Sequence, residues 1–168
     1  MEVKNAARRS DAWPPLPLKE WNDTRDTLHM WMQIVGKIRM ALSSRINHSW
    51  GVTLYVNARG LTTSPIPYEA GIFEIQFDFI EHALVIQTSA GAVKSIPLAP
   101  RSVADFYKEL MAALRSLGIA VKIWTMPVEV SNPIRFEEDR THSSYDPEYA
   151  NRFWRVLGSA DAVLKEFR

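Results

Sequence analysis

The sequence predicts an α+β fold in which two to three helices pack on an antiparallel sheet of about five strands. Apolar residues recur at helical spacing in 23–43 and again in 147–168. Between these stretches, residues 72–80 alternate apolar and polar side chains, as a strand with one solvated face does. The predicted order along the chain is one helix, four strands, a second helix, a fifth strand and a last helix.

Composition describes a folded domain and excludes several kinds of site. Of the 168 residues, 46% are hydrophobic and 23% are charged, close to the average of globular chains. The net charge of +1 gives no electrostatic basis for binding nucleic acid or an anionic membrane. Because the chain has no cysteine, disulfides, thiol nucleophiles and Cys-based zinc sites are excluded. We expect a cytoplasmic protein, because there is no signal-peptide pattern and no apolar run near the roughly 20 residues of a membrane span.

Three segments organise the chain. Residues 1–12 are predicted to form a flexible arm, and residues 13–146 the α+β domain. Residues 147–168 are predicted to form a C-terminal amphipathic helix, packed on the domain or on a partner chain. The domain opens with the Pro-rich run 13–18, which we expect to lie extended across its surface.

The first predicted helix begins at Asp23 or Thr24 and ends near Ser43. Either of the first two residues can cap it, and Asp26 is placed to return a capping-box hydrogen bond. The positions expected to face the core repeat at helical spacing: Trp31, Ile34, Val35, Ile38 and Leu42.

Four strands are predicted between the first two helices. Residues 50–58 alternate as a strand, whereas 59–68 are typical of a hydroxyl-rich loop, because two prolines there are incompatible with a central strand. Residues 72–80 place their apolar side chains on one face. Residues 84–88 and 92–98 flank a Ser-Ala-Gly turn, so the last three strands form an antiparallel meander.

A second helix, a fifth strand and a long irregular segment follow. The helix begins after Ser102, ends near Leu117 and is stopped by Gly118. Residues 119–124 are predicted to form the fifth strand. Residues 125–146 show little periodicity, and a segment of that length is either functional or poorly ordered.

The third predicted helix opens at Pro147 and carries a regular apolar stripe. The stripe steps by four and three residues: Phe153, Leu157, Ala160, Leu164 and Phe167. Such a stripe needs a partner surface, within the fold or on another chain.

Several long stretches of the chain together resemble a known family. They are W-P-x-L-P at 13–17, D-T-x-x-T-L-H-x-W-x-Q-I-V-G-K at 23–37, G-L-T-T-S-P-I-P at 60–67 and the segment 138–146. In these stretches the chain is similar to an uncharacterised bacterial domain family of unknown function, so the resemblance implies no activity. It implies that the chain corresponds to the N-terminal half of longer members. The chain is then either a short member that pairs with a second copy, or an incomplete form of a longer protein.

The first helix carries the best candidates for a ligand site. Arg25, His29 and Gln33 lie four residues apart and therefore share one helical face. A neutral His and a Gln can orient a ligand carbonyl or phosphate. The alternative is a half-buried His that binds a backbone carbonyl.

A second group of candidates follows the first predicted strand. Arg59 with Thr62, Thr63 and Ser64 suits an anion such as a phosphate or carboxylate, although Thr and Ser also stabilise turns by binding their own backbone. Together with the helix, the predicted ligand-binding residues are His29, Trp31, Gln33, Arg59, Thr62, Thr63 and Tyr145.

A third group lies in the irregular segment. Asp139, His142 and Asp146 combine carboxylates with an imidazole, a ligand set that suits zinc, manganese or iron. Their spacing matches no known metal motif, so they are weak candidates and no metal is predicted. If the protein is a catalyst, His29 or His142 would be the acid or base. The sequence identifies no cofactor.

Two functions remain open at this point. The first is binding of a small polar or anionic molecule in a cleft covered by residues 125–146. The second is a non-catalytic interaction module that forms a homodimer through its C-terminal helix. Whether the chain is an enzyme is left open.

Overall fold

The computed structural model describes residues 12–43, 52–69 and 71–167. The elements in these ranges are α1 (Leu18–Leu42), β1 (Tyr55–Val56), β2 (Gly60–Thr62), β3 (Ile66–Tyr68), β4 (Gly71–Asp78), β5 (Ala83–Thr88), β6 (Val93–Pro97), α2 (Val103–Ser116) and α3 (Pro147–Lys165). Every pair of neighbouring strands is antiparallel. The predicted α+β class with an antiparallel sheet is confirmed.

The sheet is built around β4, which pairs with β5 along one edge and with two short strands along the other. The strand order is β1-β2-β4-β5-β6, and β3 pairs with β4 as well. Between β2 and β3 the regular strand conformation is interrupted at Ser64, whose φ is 57°. At this break in the strand, the Thr63 hydroxyl accepts the Ile75 N–H of β4 at 3.1 Å. Residues 59–68, predicted to be a loop, thus contain two strands. Pro67 is tolerated in β3 because, among the described strands, β3 pairs with β4 alone and is therefore an edge strand.

The core lies between the sheet and helices α1 and α2. The alternation predicted for β4 is confirmed, because its inward apolar side chains and the one that follows are at most 2% exposed: Phe73, Ile75, Phe77 and Phe79. The Trp31 ring of α1 stacks on the Phe106 ring of α2, with 4.6 Å between centroids. Burying each such side chain contributes roughly 1.5–3 kcal/mol, so this contact joins the two helices firmly.

Helix α1 begins earlier than predicted, and the predicted capping box is wrong. Its N-cap is Pro17, which makes no side-chain capping hydrogen bond. Asp26 binds the Arg25 guanidinium instead of returning to the backbone. The extra turn is held by Trp21, whose ring lies 5.4 Å from the Phe153 ring of α3. A contact between elements so distant in sequence leaves no local signal.

The predicted limits of α2 are confirmed. Ser102 is the N-cap, and its side chain accepts the Asp105 N–H at 3.1 Å. Gly118 has a φ of 78° and donates to the Arg115 carbonyl at 3.0 Å, which ends the helix.

The prediction of a fifth strand over residues 119–124 is wrong, because they have no regular secondary structure and lie outside the described sheet. The Tyr68 hydroxyl accepts the Ala120 N–H at 3.1 Å, near the sheet edge. Farther along, the Trp124 ring lies against Lys37 of α1. The segment therefore runs from the sheet edge at Tyr68 to the first helix and pairs with none of the described strands.

Two threonines of α1 hold the segment that leads into α3. The Thr27 hydroxyl accepts the Ser144 N–H at 3.1 Å, and the Thr24 hydroxyl accepts the Asp146 N–H at 3.0 Å. Both threonines are buried. We name this group of four residues the threonine clamp.

The same segment also caps α2. The Val103 N–H donates to the His142 carbonyl, and the Ala104 N–H donates to the Asp139 carbonyl, both at 3.0 Å. These are N–H groups of the first helical turn, which have no partner inside their own helix. Residues 139–146 are therefore fixed between two helices.

Helix α3 begins at Pro147 as predicted and packs on the domain through its first half. Ala150 is fully buried, and Phe153 is partly buried against the core. Toward the other end, Leu164 is 69% exposed and Phe167, just beyond the helix, is 83% exposed. The predicted apolar stripe is thus covered only in part.

The Pro-rich run before α1 lies along α3. Arg152 and Ser159 donate to the carbonyls of Pro15 and Ala12 at 3.2 and 2.5 Å. Pro14 is buried, whereas Trp13 is exposed. The run therefore links the beginning and the end of the described chain.

Two predicted features fall mainly outside the described residues. They are the N-terminal arm, of which residues 1–11 are not described, and a turn that Asn47, His48 and Ser49 predict after the first helix, which lies in 44–51. Of the strand predicted over 50–58, the described part begins at residue 52, and within it only Tyr55–Val56 pairs in the sheet. Among the described helices, none combines the length and the apolar character needed to cross a membrane.

Replacing Thr27 with Val should destabilise the protein by about 1–3 kcal/mol, because the Ser144 N–H loses its acceptor while the volume is preserved. Urea unfolding followed by tryptophan fluorescence measures the change. Thr141→Val, at an exposed position of the same segment, is the control and should stay within about 0.5 kcal/mol. Identical midpoints in all three proteins would show that the clamp contributes nothing.

Candidate functional site

One side of α1 carries four polar side chains at four-residue intervals: Arg25, His29, Gln33 and Lys37. Because they are four residues apart, they lie one above another along the helix. Segment 124–131 lies against this face. Two cavities open between helix and segment, and His29 lines both of them.

The larger cavity, which we name the apolar chamber, has a volume of about 490 Å³. It is lined by His29, Met32, Gln33, Gly36, Lys37, Met40, Val52, Leu54, Trp124 and Val128. A Cβ atom added to Gly36 would lie 3.4 Å from Val52 Cγ1. The glycine therefore keeps the floor of the chamber open.

The smaller cavity, which we name the polar chamber, has a volume of about 340 Å³. It is lined by Arg25, Asp26, His29, Met30, Glu129, Val130, Ser131 and His142. Arg25 pairs with Asp26 at 2.6 Å. The chamber therefore offers a positively charged hydrogen-bond donor and negatively charged acceptors.

Gln33 ties segment 124–131 to α1 through both ends of its amide. Its Nε2 donates to the Val128 carbonyl at 2.8 Å, and the Val128 N–H donates to its Oε1 at 2.9 Å. This pair of hydrogen bonds fixes the orientation of the amide, so the second Nε2 proton points to His29. The distance between Gln33 Nε2 and His29 Nε2 is 3.1 Å. His29 Nε2 must accept that proton, which leaves the ring proton of neutral His29 on Nδ1.

His142 is oriented by a buried carboxylate. Asp139 is 1% exposed, and its Oδ2 lies 2.7 Å from His142 Nδ1. Its Oδ1 accepts the N–H groups of Thr141 and His142 at 3.0 and 3.1 Å. Since Nδ1 is engaged, Nε2 is the nitrogen left for a molecule in the polar chamber. A carboxylate that orients an imidazole is the arrangement found in general acid–base sites.

Lys37 is a buried cation in the apolar chamber. It is 7% exposed, and no carboxylate of the described residues forms an ion pair with it. Its Nζ lies 4.6 Å from the centre of the Trp124 ring and 6.0 Å from that of Phe136. Burial lowers the pKa of Lys37, because desolvation disfavours the charged ammonium.

Lys37 was missed by reasoning from the sequence, although a signal was present. It continues the four-residue spacing of Arg25, His29 and Gln33 by one further step. Its neighbours Val35 and Ile38 are core positions, so the sequence around it indicates packing and not a ligand site. Its burial depends on Trp124, which only the fold brings close.

Arg59 and Tyr145 lie in a separate polar cluster at the end of β4 and line neither chamber. Arg59 pairs with Asp78, whose Oδ1 accepts two backbone N–H groups. The Tyr145 hydroxyl lies 2.8 Å from His82 Nδ1. Burial lowers the pKa of His82 and raises that of Tyr145. The structure thus brings His29 close to His142 but leaves Arg59 elsewhere.

The other predicted site residues take part in the fold. The Thr62 hydroxyl binds Glu74 across the sheet, and Thr63 fills the break between β2 and β3. Trp31 is fully buried in the core. Asp146 is the N-cap of α3, where its side chain accepts two backbone N–H groups. Within the described ranges, no group of three or more His, Asp or Glu residues is arranged to hold a metal ion.

Replacing Gln33 with Leu should release Val128 from α1. Because two hydrogen bonds are lost, each worth about 1 kcal/mol, the Val128 amide should exchange its hydrogen about tenfold faster or more. Hydrogen exchange followed by NMR measures this rate. Gln87→Leu, on the exposed face of β5, should leave it unchanged, and an unchanged rate in Gln33→Leu would contradict the tether.

Residues 13–168 match the model of a family described as "Family of unknown function (DUF5996)". No curated protein and no solved structure matches the chain. The match covers the whole chain except its first twelve residues. The expected kinship with an uncharacterised domain family is confirmed, and the chain belongs to the family of unknown function DUF5996.

Proposed function

We propose that this protein binds a small polar or anionic molecule in the polar chamber and exchanges a proton with it through His142. The observation that carries the proposal is the buried Asp139 carboxylate, 2.7 Å from His142 Nδ1. The carboxylate leaves Nε2 as the free nitrogen, and it stabilises the imidazolium that forms when Nε2 takes up a proton.

The position of His142 is fixed before any ligand arrives. The carbonyls of Asp139 and His142 accept the N–H groups of Val103 and Ala104, so the turn is attached to α2. The threonine clamp holds the following residues to α1. A side chain held by its surroundings needs little reorganisation to act, which favours catalysis over accidental exposure.

The surrounding groups fit a small molecule with several polar atoms. His29 presents Nδ1–H as a donor because its Nε2 accepts from Gln33. Arg25 adds a guanidinium that can bind a carboxylate or phosphate, and Glu129 adds an acceptor. A ligand with both an acidic group and a hydroxyl would use all of them.

A thermal-shift screen of carboxylic acids, phosphorylated metabolites, amino acids and sugars tests the binding. A compound present at about 100 times its Kd stabilises the native state by about 2.7 kcal/mol, and His142→Gln should reduce that effect. Glu138→Gln, at an exposed position that lines neither chamber, is the matched control. The absence of any stabilising compound would refute the proposal.

Proton exchange is tested separately by calorimetry of the same compound in two buffers that differ in ionisation enthalpy. The apparent binding enthalpy should differ between the buffers for the wild type and agree for His142→Gln, because the proton acceptor has been removed. Equal buffer dependence in both proteins would place the proton on another group.

Self-association is a second candidate function, favoured by one observation. Val163, Leu164 and Phe167 form an apolar patch at the end of α3, where they are 45, 69 and 83% exposed. A second copy of the chain, related by a two-fold axis, would cover this patch with its own. The protein would then be an interaction module without catalysis.

Light scattering of the purified chain at about 0.1 mM tests this alternative. Leu164→Asp should convert a dimer into a monomer, because it places a charge inside the apolar contact. Ala162→Asp adds the same charge on the opposite side of the helix and should leave the dimer intact. A wild-type monomer at this concentration would exclude self-association through α3.

A further inference from the structure

We propose that the apolar chamber binds an amphipathic monocarboxylate, whose carboxylate pairs with Lys37 and whose apolar body fills the chamber. This site is distinct from the polar chamber and uses neither Asp139 nor His142. The inference therefore goes beyond the proton exchange proposed above and does not depend on it.

The first argument is the unmatched charge of Lys37. The residue is 7% exposed, yet no described carboxylate forms an ion pair with it. The other side chains that line the chamber are neutral or apolar when His29 is uncharged. The Lys37 side chain is largely buried and has no carboxylate partner among the described residues, so a carboxylate entering the chamber gains an attraction that the empty protein lacks.

The contacts that Lys37 does make compensate its charge only partly. Its Nζ lies over the Trp124 ring at 4.6 Å, and Trp124 is itself 61% exposed. The pKa of Lys37 is lowered by burial despite this contact. An aromatic face attracts a cation but does not neutralise it, which leaves room for an anion.

The second argument is the apolar character of the remaining walls. Met32, Met40 and Leu54 contribute hydrocarbon and thioether surface that can adapt to a ligand's shape. The Gln33 amide is already bound to Val128, so it offers little to a further polar group. The chamber therefore fits one negative charge attached to an apolar body.

The size of the chamber agrees with a small ligand. Its volume of about 490 Å³ lies within the range of small-molecule sites, roughly 300–1,000 Å³. A medium-chain fatty acid or an aromatic carboxylic acid would meet all three requirements of charge, polarity and volume.

Calorimetric titration with octanoate and octan-1-ol tests the proposal, because the two probes share an apolar chain and differ in charge. Octanoate should bind the wild type more tightly than octan-1-ol. Lys37→Met should weaken octanoate binding by about tenfold to a hundredfold, the value of one charge-assisted contact, and leave octan-1-ol unchanged.

Three controls make the result specific. Lys37→Arg keeps the charge and should keep most of the affinity for octanoate. Lys122→Met removes an exposed lysine and should have no effect, and neither should His142→Gln, which separates this site from the polar chamber. Lys37→Met should melt no lower than the wild type, because an unpaired buried charge has been removed.

A pH series adds a readout that apolar binding would not show. Because the pKa of Lys37 is lowered, octanoate affinity should fall as the pH rises from neutral to about 10, as the ammonium loses its proton. Octan-1-ol affinity should not change. The proposal is overturned if octanoate does not bind, or if its affinity is the same in Lys37→Met as in the wild type.

Discussion

The attachment of residues 139–146 to both α1 and α2 is the constraint on which the rest of the structure depends. Thr24 and Thr27 accept two backbone N–H groups of this segment, and its own carbonyls accept two N–H groups of α2. These four bonds satisfy polar groups that would otherwise be buried without partners. They also set the position of His142 and the start of α3. Loosening them would change the core, the polar chamber and the last helix together.

The parts of the fold that could be predicted are those specified by local pattern. The alternation in β4 and the apolar stripes of α1 and α3 appear in the sequence because each element repeats with its own period. The break at Ser64 and the early start of α1 could not be found in this way. In both cases a contact with a distant element, β4 or Phe153, decides the local structure.

In the candidate site, too, only the features specified by local pattern could be predicted. The face with His29 and Gln33 follows from helical spacing, and His142 could be identified as a possible acid or base. Their arrangement around one cavity could not be predicted, because Val128 and His142 reach α1 through a segment without periodicity. Nothing in the sequence separates Arg59 from His29 and Gln33, whereas in the structure Arg59 pairs with Asp78. Residue type and spacing suggested the candidates, whereas their grouping around one cavity required the fold.

The glycine at position 36 lowers the stability of helix α1. A glycine inside a helix is less favourable than alanine by roughly 0.5–1 kcal/mol, and this one lies in the buried middle of α1. A methyl group at this position would stiffen the helix, and it would also stand 3.4 Å from Val52 Cγ1, within the chamber. A Cβ atom at residue 36 would therefore stabilise the helix and at the same time occupy part of the chamber. With glycine at this position, the helix is less stable and that volume stays empty.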